Sequence, residues 1–95
     1  MSSADHGSVR VRISGRVQGV GFRAWTEREA QLRNLSGWVM NTPGGDVEAL
    51  FAGPADRVED MLAACGKGPR LASVKTVEVI GTGEESPEPF TIRAK

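Results

Sequence analysis

The chain has 95 residues, and its 12 Lys and Arg are balanced by 12 Asp and Glu. That length suits one domain with a single two-layer core and excludes a doubly wound sheet; the balance excludes a net positive field that would gather nucleic acid, so any anion site must be local. The single cysteine, Cys65, excludes an intrachain disulfide, reads as a small core hydrophobe and fits a cytoplasmic setting.

Residues 1–8 are polar, lack the apolar core of a signal peptide and hold the only histidine, His6, so a flexible tail is expected there and histidine or metal chemistry is not. No apolar run is long enough to cross a bilayer, which predicts no membrane partner. Residues 9–95 are expected to form one domain. Over 9–14, Val9, Val11 and Ile13 alternate with Arg10 and Arg12, the pattern of a half-buried strand with a solvated basic face. Residues 22–35 are free of Gly and Pro and predict a helix with Trp25, Leu32 and Leu35 as buried anchors, ended by Asn34 and Gly37. Trp38, Val39 and Met40 read as a second strand. Asn41-Thr42-Pro43-Gly44-Gly45 is dense in turn formers and leads into a third strand over 46–52, which makes a hairpin.

Gly53-Pro54 then opens a second helix, in which Val58, Met61, Leu62 and Cys65 recur at i, i+3, i+4 and i+7. Gly66-Lys67-Gly68-Pro69 stops it. A fourth strand is expected over 72–80. Residues 81–89 read as a polar loop with solvating Glu84, Glu85 and Glu88, and 90–93 as a short last strand with Phe90 and Ile92 on one face. The order βαββαβ, plus that short strand or an extension of the previous one, predicts a ferredoxin-like α+β sandwich: an antiparallel sheet with two helices on one face. Strands one and three would lie centrally, bringing Asn41 towards the turn after strand one.

That turn, within Ser14-Gly15-Arg16-Val17-Gln18-Gly19-Val20-Gly21-Phe22-Arg23, carries the functional signal. Glycines can aim successive backbone N–H groups at one point, and a helix N-terminus adds unpaired donors and partial positive charge, so the stretch suits a phosphate-sized anion. Arg23, in the first helical turn, opposes the helix dipole unless an anion lies between them. The residues equally admit a tight turn followed by a surface Arg paired with Glu27. A Walker-type P-loop is excluded because no Gly-Lys-Ser/Thr ending is present, and the dinucleotide fingerprint lacks its acidic partner, with Asn41 about where one would stand. Asn41 has a plain reading as a turn residue; its carboxamide can also hold a water, but cannot deprotonate it. An anion cup, one Arg and one Asn suffice when the leaving group needs no proton, as with acyl phosphates, whose carboxylate has a conjugate-acid pKa of about 4.

Gly15-Arg16-Val17-Gln18-Gly19-Val20-Gly21-Phe22-Arg23, followed by Gly37-Trp38-Val39-Met40-Asn41-Thr42-Pro43, resembles the acylphosphatase family, and the likeness runs over 9–92. The resemblance implies a small cofactor-independent hydrolase acting on a small acyl phosphate; no metal is expected, and a monomer is. It implies that Val17, Gln18, Gly19, Val20, Gly21, Phe22 and Arg23 bind the phosphoryl group, while Asn41 positions the attacking water. Met40, Asn34 and Gly44 depart from a frequently basic residue, a frequent Gly and a frequent Asp of the family. The rival reading is a non-catalytic ferredoxin-like module that binds a phosphate-bearing ligand or RNA.

Overall fold

The computed structural model describes residues 6–86 and 88–94. In chain order they form β1 (His6–Arg16), α1 (Phe22–Leu32), β2 (Ser36–Asn41), β3 (Val47–Pro54), α2 (Ala55–Lys67), β4 (Ser73–Thr82) and β5 (Thr91–Ile92). The sheet order is β4-β1-β3-β2-β5, so β1 and β3 are central as expected. β1 pairs antiparallel with both β3 and β4, and β2 pairs antiparallel with β3. The last strand corrects the expectation of a wholly antiparallel sheet. β5 is separate from β4, lies at the opposite edge and runs parallel to β2, which makes the sheet mixed.

The alternation read in the first strand sets the layers. Val11 and Ile13 are fully buried with Val39, Val47, Ala49 and Phe51, and these pack with Phe22 and Ala30 of α1 and Val58, Met61 and Cys65 of α2. Phe51 and Phe90 stack at 5.6 Å between ring centroids. Each of these phenylalanines stabilises the fold by about 1.5–3 kcal/mol through burial. On the outer face, Glu48 joins Arg10 at 3.1 Å and Arg12 at 3.7 Å, and Trp38 lies beneath the guanidinium groups of Arg10 and Arg93.

Several expectations need correction. The expected tail over 1–8 is overrun by β1, which starts at His6 and pairs it with Pro54; residues 1–5 lie outside the described residues. Leu32 is 76% exposed, because the buried stripe of α1 is Phe22, Thr26 and Ala30, and the helix ends at Leu32 rather than at Leu35. Asn34 then takes a left-handed φ of 56°, with its N–H on Gln31 O and that of Leu35 on Ala30 O, the Schellman pattern that returns Leu35 to the core. Gly37 is no turn residue but lies inside β2.

Candidate active site

The turn from β1 into α1 has the conformation that its glycines permit. Gly19 and Gly21 have φ of 74° and 79°, and a Cβ at either would meet nothing within 4 Å, so it is the backbone angle and not crowding that demands glycine. Gly21 is the N-cap of α1, with no side-chain cap and no acidic residue in the first turn. The first N–H groups of the helix are thus left to an external acceptor. Phe22 anchors the helix start, 2% exposed and edge-on to Trp25 at 5.3 Å.

Gln18 fixes the loop to the hairpin. Its Nε2 donates to Thr42 O at 2.9 Å and to Asp46 O at 2.8 Å. The hairpin turn is itself closed by the N–H of Thr42 on Asp46 O at 2.9 Å and that of Asp46 on Thr42 Oγ1 at 3.2 Å. Asn41, at the end of β2, shares the inner face with buried Val39 and is thereby carried to the loop.

Val17, Gly19, Gly21, Phe22, Arg23, Ala24, Asn41 and Ile92 line one cavity of about 290 Å³. Of the residues singled out from sequence, Val17, Gly19, Gly21, Phe22, Arg23 and Asn41 meet there. Val20 faces a neighbouring groove, and the Gln18 side chain is turned to the hairpin. Ala24 and Ile92 are additions; Ile92 arrives from the far edge strand, which no local pattern announces. Among the described residues no ion pair joins Arg23 to Glu27, and no hydrogen bond engages the side chain of Arg23 or Asn41. Both groups are half-buried. The arrangement brings a guanidinium, the start of a helix and a carboxamide to the lining of one small cavity.

Larger hollows lie elsewhere, and size does not select the site. One of about 480 Å³ by His6, Ser36, Ser86 and Glu88 lies at the opposite end of the sheet. One of about 750 Å³ lies on the outer face by Arg10, Trp38, Met40 and Arg93, where Arg10 is already held by Glu48 and Glu84. Neither contains a helix N-terminus. Met40 faces that outer hollow, away from the 290 Å³ cavity.

Fold and site together define a ferredoxin-like α+β domain with an anion-sized cradle at its first strand-to-helix turn. The sequence model of the family described as Acylphosphatase matches residues 9–92, and the chain belongs to the acylphosphatase family. It is 59% identical over 69 residues to an acylphosphatase of Nitrobacter hamburgensis, covering 73% of this chain and 70% of the relative. To one of Rhizobium etli it is 47% identical over 91 residues, covering 94% and 97%. The solved acylphosphatase from Coxiella burnetii superposes with a TM-score of 0.84 at 34% identity, covering 94% of each chain. That from Bacillus subtilis gives 0.82 at 36%, covering 92% of this chain and 98% of the other. The protein is an enzyme that hydrolyses acyl phosphates, and the reading as a non-catalytic binding module falls.

Proposed function

We propose that water attacks the phosphorus of the acyl phosphate directly, with the phosphoryl group held by the amides of residues 17–22 and the guanidinium of Arg23, and the water held by the carboxamide of Asn41. The supporting observation is that Arg23, Asn41, Gly19 and Gly21 converge on one 290 Å³ cavity, the two side chains having no partner there among the described residues. As the new P–O bond forms, the bond to the acyl oxygen breaks and its electron pair leaves on the carboxylate. That group is stable unprotonated, so no general acid is required. A phosphoryl oxygen takes the proton of the water, so no separate base is required either. What remains for the protein is positioning and charge stabilisation, which suits a rigid amide cup beside a guanidinium. No cofactor is needed for this step, and the domain is proposed to act as a cytoplasmic monomer.

Arg23→Ala and Asn41→Ala test the assignment with benzoyl phosphate as substrate. Each should lower kcat/KM about 100-fold or more, on the order of 3 kcal/mol, while the circular dichroism spectrum stays as in the wild type. Competitive inhibition by inorganic phosphate separates the roles: it should weaken strongly in Arg23→Ala and persist in Asn41→Ala. A near-normal rate in either variant removes that residue from the mechanism.

A further inference from the structure

A groove of about 540 Å³ adjoins the catalytic cavity, and Gly21 and Ala24 line both. Its far wall is the loop between α2 and β4, where the N–H of Ala72 on Pro69 O closes a turn that presents Arg70 and Leu71. Leu71 is 71% exposed and lines the groove, and Val20 and Trp25 supply the rest of its apolar lining. Arg28 and Arg70 stand at its rim. Both are exposed, and among the described residues neither takes part in an ion pair, since those pairs involve Arg10, Arg12 and Arg33.

Displacement at phosphorus places the entering and leaving oxygens roughly in line. Asn41 and Ile92 line the cavity but not the groove, which joins the cavity at Gly21 and Ala24, so the groove is the neighbouring space open to a leaving group displaced by a water held at Asn41. We propose that this groove receives the acyl group, and that it favours acyl phosphates with an apolar stem ending in a second anionic group. The inference rests on the roles assigned above to Arg23 and Asn41. The apolar lining accounts for the stem and the two free guanidinium groups for the anion.

Three substrates separate the possibilities: acetyl phosphate, which has no stem, 4-methylbenzoyl phosphate and 4-carboxybenzoyl phosphate. The wild type should prefer the 4-carboxy over the 4-methyl compound in kcat/KM, and the ratio should fall about threefold for each of Arg28→Gln and Arg70→Gln, the range of a solvent-exposed charge pair. It should also shrink with added salt. Leu71→Ser should lower kcat/KM for both aromatic substrates relative to acetyl phosphate. Ratios that are the same in wild type and all three variants overturn the inference. So does a wild type that sediments as a dimer dissociated by Leu71→Ser, because a second copy would then fill the groove. Failure of the catalytic reading shows separately, as acetyl phosphate hydrolysis undiminished by Arg23→Ala or Asn41→Ala.

Discussion

A single amide side chain couples the two halves of the site. Gln18 uses both hydrogens of Nε2 on carbonyls of the hairpin, so the glycine loop and the strand that carries Asn41 move as one piece. Gln18→Ala removes both bonds, but Asp46 O keeps the N–H of Thr42 and Thr42 O keeps that of Gly45, so stability should fall by only about 1 kcal/mol. Because the gap between Arg23 and Asn41 is no longer set, kcat should drop about tenfold, more than KM changes. Gln18→Glu, of the same shape but without donors, should do no better; a steady-state comparison of the three proteins checks this. The turn was legible because φ values near 75° demand glycine, and two glycines so close together before a helix are hard to explain otherwise. The clasp was not, because an amide side chain gives no sign of which distant carbonyls it will meet. Resemblance supplied the roles proposed for Arg23 and Asn41 where the residues alone left two readings of each.

Among the elements, α1 and β2 show why hydrophobicity and glycine are imperfect guides. Trp25, Leu32 and Leu35 sit at helical spacing, yet the stripe that meets the sheet includes a threonine: Thr26 is fully buried because its hydroxyl donates to Phe22 O at 2.8 Å. A polar residue satisfied by its own helix can occupy a core position, which frees Leu32 to face solvent. Gly37 looks like punctuation after a helix, but it lies inside a strand at φ 134°, where a Cβ would fall 1.7 Å from Leu50 O. Gly37→Ala should therefore force β2 from β3 and destabilise by about 3 kcal/mol, combining backbone strain with overpacking. Thermal melting would register this as a large fall in Tm. β2 ends in Asn41, so activity should fall with it. The second helix was read closely, since Val58, Met61 and Cys65 of the expected stripe are all buried.

At the scale of the molecule, the core sets how stability responds to alkali. Burial of Cys65 pushes its thiol up to about 12, the nearby charge of Arg33 opposing this only in part. Above its ordinary value of 9.0 the unfolded chain loses that proton while the folded chain keeps it. The contribution is fully present below about pH 9 and is lost progressively towards pH 12, at roughly 1 kcal/mol per pH unit. Urea titrations across that window should show a steeper decline for the wild type than for Cys65→Ala. In the sheet order, sequence patterns placed β1 and β3 at the centre, but could not place β5, whose two residues are too few to declare a neighbour or a direction. The position of β1 has a further consequence. Both strands that flank it lie far downstream, so during synthesis at the ribosome it emerges with each edge bare and no template to join. Until β3 and β4 are made, this segment offers two unpaired edges, the feature that leaves a nascent strand open to chaperone capture.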